Sequence, residues 1–216
     1  MIKKYNIFKE SLLDKLEGPN EEEILKAIKE KPGKMLEQAV INGNIEIVKK
    51  IFETVDNISK DDKNYAMWYA CQYDKYDIVK LLNDYGVNIN MEVASNKGYV
   101  DILQLGLDRG QIFIKTNILK GSVNGGNLSS FKFIFDKCDI NKTDVLSVIL
   151  HVIRLTGGLN DNGSELFLRR VEMINIILNS FSFNIEELNK FVESANDNSS
   201  FTIKEHIKKY IDKITK

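Results

Sequence analysis

Apolar side chains recur at spacings of three and four residues along most of the chain, which is the spacing of one face of an α-helix. Clear instances are Ile47/Val48/Ile51/Phe52, Ile78/Val79/Leu81/Leu82, Ile174/Ile177/Leu178 and Ile207/Tyr210/Ile211/Ile214. Strict alternation of apolar and polar residues, which favours a strand, is confined to the short stretches 87–91 and 111–115. Prolines, which break helices, number only two. The pattern therefore predicts an all-α protein.

A unit of two helices repeats four times within this pattern. Each copy has a small residue four positions before a turn residue, and apolar residues three before and six and nine after the small one. The small residues are Ala39, Ala70, Ala94 and Ser122, and the turn residues are Gly43, Asp74, Gly98 and Gly126. A small side chain lets neighbouring helices approach closely, and glycine readily adopts the left-handed conformation that closes a helix. The second helices are expected to end near Val55, Gly86, Gly110 and Cys138.

The spacing between successive copies varies, whereas the length within a copy does not. This combination indicates a stacked solenoid, because each unit buries one face on its neighbour while the connector stays in solvent. We therefore predict an α-solenoid of stacked helix-turn-helix repeats.

Several segments carry a family resemblance. The segment Met67-Trp-Tyr-Ala-Cys-Gln-Tyr-Asp-Lys-Tyr-Asp-Ile-Val-Lys-Leu-Leu-Asn-Asp-Tyr-Gly-Val-Asn-Ile resembles an ankyrin repeat, and weaker copies follow the same pattern at Leu36 to Phe52, Met91 to Gly110 and Leu119 to Cys138. The core of the motif stands as Gly43-Asn-Ile-Glu-Ile-Val and Gly98-Tyr-Val-Asp-Ile-Leu. Phe8 to Glu23, followed by degenerate repeats rich in Asn, Ile, Lys and Tyr, is similar to ankyrin-repeat proteins of giant DNA viruses. The resemblance implies an ankyrin-type solenoid with degenerate helical caps and shortened hairpin connectors.

Three regions follow from this pattern. Residues 1–33 predict an N-terminal helical cap, with an amphipathic helix from Tyr5 to Glu17 and a second helix capped by Asn20. Residues 34–142 hold the four ankyrin-like repeats. Residues 143–216 predict a degenerate fifth repeat with an enlarged turn, followed by a C-terminal helical cap. A solenoid needs such caps because its end units otherwise expose an apolar face.

Charge and cysteine content narrow the class of function. The 30 Lys and Arg residues nearly balance the 31 Asp and Glu residues, for a net charge of −1. Proteins that track nucleic-acid phosphates are usually clearly basic, so neither nucleic acid nor a membrane surface is an expected partner. No secretory leader or membrane span is apparent, and the two cysteines, Cys71 and Cys138, form no disulfide framework. We expect a cytoplasmic chain, located in the host cytosol if it is viral.

The sequence offers no convincing catalytic, metal or cofactor site. His151 lies in an apolar helix, and His206 lies among charged residues on what is expected to be a solvated helix face. Cys71 occupies a position where a compact apolar side chain is wanted for packing. The loop from Gly157 to Gly163 lacks the Gly-Lys-Ser/Thr of a phosphate-binding loop and the acids of a calcium loop. It is either a plain turn insertion or a partner-contact loop, and we predict a protein that is not an enzyme and has no cofactor.

Candidate partner-binding residues follow from the ankyrin resemblance, which implies contacts six residues before and two and three residues after each small residue. Those predicted to bind are Asn42, Asn64, Gln72, Tyr73, Asn96, Lys97 and Asn124; Ile41, Asn88, Thr116 and Gly125 hold equivalent positions. Trp68 is added because tryptophan is enriched among binding hot spots. The spacing leaves open whether Trp68 faces the core or the groove, and it directs Tyr69 largely to the core. The asparagines could equally form an ordinary solvated surface.

Two functions from different classes remain open. The leading hypothesis is a monomeric protein-protein interaction module that binds a host-cell protein through the concave repeat surface. The alternative is a structural scaffold that assembles end to end through an apolar face of a cap. The sequence does not decide whether the chain serves as a ubiquitin-ligase adaptor.

Overall fold

The computed structural model of the chain describes residues 21–156, 164–197 and 201–215, and within these ranges the chain is helical with no strand. The first helices are α1 (Glu21–Glu30), α2 (Pro32–Asn42), α3 (Ile45–Thr54), α4 (Lys60–Gln72), α5 (Tyr76–Asp84), α6 (Met91–Lys97) and α7 (Val100–Asp108). They are followed by α8 (Lys115–Gly125), α9 (Leu128–Lys137), α10 (Lys142–Thr156), α11 (Glu165–Ser180), α12 (Ile185–Asp197) and α13 (Phe201–Ile214). The predicted helix from Tyr5 to Glu17, the predicted cap at Asn20 and the loop 157–163 lie outside the described residues.

The chain divides into two compact units, the first ending at Asn90 and the second beginning at Met91. In the first unit, α2 packs beside α4 and α3 packs beside α5, while α1 lies against α2 and α3. The side chains between them are almost fully buried; they include Leu36, Ala39, Val48, Ile51, Met67, Ala70, Val79 and Leu82. Each buried isoleucine or leucine contributes about 1.5–3 kcal/mol through removal of apolar surface from water.

The second unit has two rows of helices. α6, α8, α10 and α12 pack in succession, and α7, α9 and α11 do the same beside them. The last helix, α13, packs on α12 and buries Ile203 and Ile207. It also reaches α11, because the Tyr210 hydroxyl donates to the carbonyl of Leu178 at 2.6 Å. These helices contain the apolar residues at spacings of three and four that the sequence analysis describes.

The turn inside each repeat has the conformation that the sequence predicts. Gly43, Gly98 and Gly126 have positive φ angles of 74°, 90° and 64°. Asp74 takes the same place with φ 53°, which aspartate tolerates better than most residues. In all four turns the carbonyl of the small residue accepts a hydrogen bond from the backbone N–H five residues later; the N···O distances are 2.8 Å at Ala39, 2.9 Å at Ala70, 3.0 Å at Ala94 and 2.8 Å at Ser122. This is the Schellman arrangement, which satisfies a carbonyl at the end of the first helix.

The small residues also allow close helix packing, most clearly between α6 and α8. Ser95 donates a hydrogen bond of 2.6 Å to the carbonyl of Ile118 across this contact. A Cβ atom added to Gly121 would come within 2.6 Å of the Glu92 carbonyl oxygen, and one added to Gly125 would overlap the carbonyl of Asn96. The glycines of α8 therefore set how closely these two helices approach.

The connectors between repeats are short and irregular, spanning residues 55–59, 85–90, 109–114 and 138–141. The prediction of an all-α ankyrin-type solenoid is thereby confirmed for the described residues. No helix in the described part of the chain is both long enough and apolar enough to cross a membrane.

Candidate protein-binding surface

A concavity with a volume of about 540 Å³ lies along one side of α4. It is lined by Asp61, Asn64, Tyr65, Trp68 and Tyr69. These residues follow the spacing of three and four that places side chains on a single helix face. The site therefore belongs to one rigid element of the first unit.

Local sequence defines where α4 begins. The Asp62 N–H donates to Ser59 Oγ at 3.0 Å, and the Ser59 hydroxyl donates to Asp62 Oδ2 at 2.7 Å. This reciprocal pair satisfies a backbone donor that the first turn of a helix otherwise leaves without a partner.

The opposite face of α4 anchors the helix in the core. Ala66, Met67, Ala70 and Cys71 are buried there, with at most 1% of any of these side chains exposed. Because one face is fixed by packing and the first turn is capped, the other face is held in a defined position.

Four aromatic residues on α4 and its C-cap form what we call the α4 aromatic surface: Tyr65, Trp68, Tyr69 and Tyr73. The Trp68 and Tyr69 rings meet edge to face with centroids 5.0 Å apart, and the Tyr69 and Tyr73 rings stack at 6.1 Å with an angle of 6°. Tyr65 is 64% exposed, Tyr73 39% and Trp68 37%, whereas Tyr69 is half-buried. Contacts among Trp68, Tyr69 and Tyr73 order these three rings while leaving part of their apolar surface in water.

The structure places several predicted residues on or beside this surface. Asn64 and Trp68 line the concavity, and Trp68 faces outward, which answers the question that the spacing left open. Tyr73 belongs to the aromatic surface, and Gln72 is half-buried beside it in the sequence. Asn42 is exposed at the end of α2.

Tyr69, which the spacing directs largely to the core, also lines the concavity. The sequence pattern did not point to two other lining residues, Asp61 and Tyr65. The contact positions implied by the family resemblance skip them. Helical spacing could have found both, because Asp61 lies three residues before Asn64 and Tyr65 lies three before Trp68.

The predicted residues of the second unit are arranged differently. Lys97 is exposed at the end of α6, and Asn96 is half-buried, with its carbonyl accepting a hydrogen bond from Asn127 Nδ2. Asn124 has an exposed side chain near the end of α8, yet its Oδ1 lies 2.7 Å from Nε2 of His151 on α10, which donates to it. Asn124 thus takes part in contacts within the protein.

Arg170 on α11 adds to these contacts. Only 6% of this residue is exposed, and its guanidinium donates to the carbonyls of Val123 at 3.1 Å and Asn124 at 3.2 Å. These carbonyls are at the C-terminal end of α8, where the partial negative charge of the helix favours a cation. Burial lowers the pKa of Arg170 from its ordinary value, but arginine titrates so far above neutrality that it remains charged.

Both histidines are half-buried and bonded to asparagines. The pKa of His151 is lowered by burial and then by the charges of Lys120, Arg170 and Arg154. The expectation that His206 lies on a solvated face is wrong, because it packs against α11 and bonds to Asn175 Oδ1. Burial, followed by the charge of Lys209, lowers the pKa of His206 as well. Neither histidine is positioned in the concavity of α4.

The cysteines lack the features of a reactive thiol. Cys71 is fully buried, and burial raises its pKa to about 12. Cys138 is half-buried, and burial raises its pKa too. A thiol with a raised pKa is a poor nucleophile and a poor metal ligand at neutral pH. Within the described ranges no three His, Cys, Asp or Glu side chains come together to hold a metal ion.

Stacked pairs of short helices with buried small residues and left-handed turns define an α-solenoid repeat protein. A family model described as ankyrin repeats (3 copies) matches residues 36–144, about half of the chain. The chain belongs to the ankyrin-repeat family, whose members generally mediate protein-protein binding. Comparisons with curated proteins and with solved structures give no significant match.

Proposed function

We propose that this protein is a non-enzymatic interaction module that binds another protein on the α4 aromatic surface. The observation that carries the proposal is the exposure of Tyr65, Trp68 and Tyr73 on one helix and its C-cap, beside a concavity of about 540 Å³. Tyrosine and tryptophan are the residues most enriched among binding hot spots, especially where they meet a pocket.

The energetics favour binding on this surface. Large aromatic side chains contribute stability when they are buried, so a partner that covers the three exposed rings gains apolar burial that folding itself leaves unused. Because α4 is fixed by its cap and its buried face, a partner pays little ordering entropy on the side of this protein. Asn64 and Gln72 extend the surface with polar groups that can orient the partner.

The other predicted contacts have a secondary place in this proposal. Asn42, Asn96 and Lys97 present polar side chains at the ends of first helices, where they can add weaker contacts. Asn124 contributes least, because its oxygen already accepts a hydrogen bond from His151.

We further propose that the partner is a protein of the cytosol of a virus-infected host cell. This part of the proposal depends on the similarity of Phe8 to Glu23 to ankyrin-repeat proteins of giant DNA viruses. No bound group or catalytic step is needed for the proposed function.

Photo-crosslinking from Tyr65 tests the proposal. Benzoylphenylalanine in place of Tyr65 should capture a host-cell protein, whereas the same probe in place of Tyr76, an exposed tyrosine on α5, should not. Excess unlabelled protein should compete for the capture, and a Trp68→Ala, Tyr73→Ala double variant should compete poorly. Equal capture from both probes, or equal competition by the double variant with its helical circular dichroism intact, would contradict binding on this surface.

A further inference from the structure

Asp61 adds a negative charge to the concavity of α4. It lies one helical turn before Tyr65, its side chain is exposed, and it forms no ion pair with any described residue. The two cations of α4, Lys60 and Lys63, do not line the concavity. Lys63 instead extends over the ring of Phe52, with Nζ 5.8 Å from its centroid. The concavity therefore combines aromatic rings with a carboxylate that forms no ion pair with the described residues.

A second carboxylate follows the aromatic residues in the sequence. Asp74 follows Tyr73 directly and is exposed. In the sequence, Asp61 and Asp74 thus precede and follow the aromatic residues of this surface. An acidic or phosphorylated segment would meet repulsion here, whereas a cation would gain from both kinds of group.

A guanidinium group fits this combination better than an ammonium group does. It is planar, so it can stack on the face of Trp68 or Tyr65, and its donors can pair with a carboxylate in a two-point contact. It is also more weakly hydrated than an ammonium, which reduces the cost of removing it from water. We propose that the α4 aromatic surface takes an arginine side chain of the partner, stacked on the rings and paired with Asp61.

This inference rests on the proposed function, so the experiment separates the two. A random 12-residue peptide library is selected on the intact protein, and selected peptides are compared by fluorescence polarisation with the wild type and with a Tyr65→Ala, Trp68→Ala variant. Trp68 is the only tryptophan in the chain, so its emission reports directly on binding at this surface. We expect arginine-containing peptides whose binding shifts the Trp68 emission and requires the two aromatic residues.

Two substitutions then test whether the charges of the peptide arginine and of Asp61 contribute to binding. Exchanging the arginine of a selected peptide for citrulline removes the charge at nearly constant shape and should weaken binding about 10-fold, because both the cation–π attraction and the ion pair are lost. Asp61→Asn should weaken binding about 2- to 5-fold. The matched control, Asp77→Asn on the exposed side of α5, should leave the affinity unchanged.

Each outcome bears on a different statement. Peptides that need Tyr65 and Trp68 but carry no arginine, or that tolerate citrulline, would overturn the arginine inference while leaving the proposed function intact. Equal effects of Asp61→Asn and Asp77→Asn would overturn the role of Asp61. A selection that yields no peptide dependent on the aromatic residues would count against both the inference and the proposed function.

Discussion

Helices α4 and α8 hold the same place in their repeats but present different surfaces. Trp68 and Tyr73, on α4 and its C-cap, direct aromatic side chains into solvent. Near the end of α8, Asn124 is bonded through its side chain to His151 and through its carbonyl to Arg170. The first helices of different repeats therefore differ in whether their exposed side chains are open to a partner or used in contacts within the protein.

The difference arises from the hydrogen-bond donors that neighbouring helices supply. Near its C-terminal end, α8 receives donors from α10 and α11, and these satisfy polar groups that would otherwise need water. The exposed face of α4 carries aromatic rings whose carbon atoms cannot be satisfied by hydrogen bonds. Covering these rings with apolar groups of a partner therefore lowers the free energy most.

The largest expected effect comes from the close approach of α8 to α6. Gly125→Ala should lower the free energy of unfolding by about 3 kcal/mol, because the added methyl overlaps the carbonyl of Asn96 and the backbone must move. Gly110→Ala is the control; it has open space around the new methyl and costs only about 1 kcal/mol through its positive φ of 64°. Denaturant unfolding measures both, and equal losses would contradict tight packing at Gly125.

The next largest effect is expected at Arg170, whose guanidinium donates to two carbonyls at the end of α8. Arg170→Met should lower the free energy of unfolding by about 2–3 kcal/mol, because two carbonyls lose a charged donor while the aliphatic bulk is kept. Arg169→Met, at a neighbouring and exposed position, should cost less than about 1 kcal/mol. Hydrogen exchange of the amides around Asn124 should rise in the first variant alone. A stability loss of similar size in both variants would show that burial of Arg170 has no special importance.

Measurements of partner binding should distinguish the roles of α4 and α8. Trp68→Ala is expected to weaken the partner complex by about 2 kcal/mol, roughly 30-fold, while the free energy of unfolding changes by less than about 1 kcal/mol. Asn124→Ala should do the reverse, with a small loss of stability and an affinity that changes little, since its oxygen is already bonded. Isothermal titration and thermal melts of both variants provide the four values. A larger affinity loss from Asn124→Ala than from Trp68→Ala would reverse the assignment.

The smallest effect is a dependence of stability on pH. The folded-state pKa of His151 lies below its ordinary value, so below about pH 6.5 the unfolded chain binds more protons than the folded one. Stability should therefore fall as the pH drops from neutrality through the folded-state pKa of His151. His151→Gln should reduce this slope, and so should His206→Gln for the same reason. A slope that is identical in the wild type and both variants would contradict the lowered pKa values.

The repeat could be predicted from sequence because its signals are local. A small residue and a turn residue four positions later suffice to form the Schellman turn, since the donor and the accepting carbonyl are only five residues apart. For the same reason even Asp74, without glycine, takes the left-handed conformation.

The contacts that distinguish α4 from α8 could not be predicted in this way. Arg170 lies 47 residues from Val123 in sequence, and His151 lies 27 residues from Asn124. Such pairs depend on which helices stack side by side and on side-chain direction, and no local spacing encodes them. The exposure of Trp68 also depended on packing, because helical spacing alone allows it to face either way.

The assignment of the binding surface to α4 can be checked by acrylamide quenching of Trp68 fluorescence. The quenching is measured in the free protein and in its complex with the purified partner that crosslinking identifies. Trp68 is the chain's only tryptophan and is 37% exposed, so with a partner chosen or engineered to lack tryptophan the signal has one origin. If the partner covers the α4 aromatic surface, the quenching constant will fall on binding and the emission will shift to shorter wavelength. A saturated complex in which Trp68 is quenched as readily as in the free protein would contradict the assignment of the binding surface to α4.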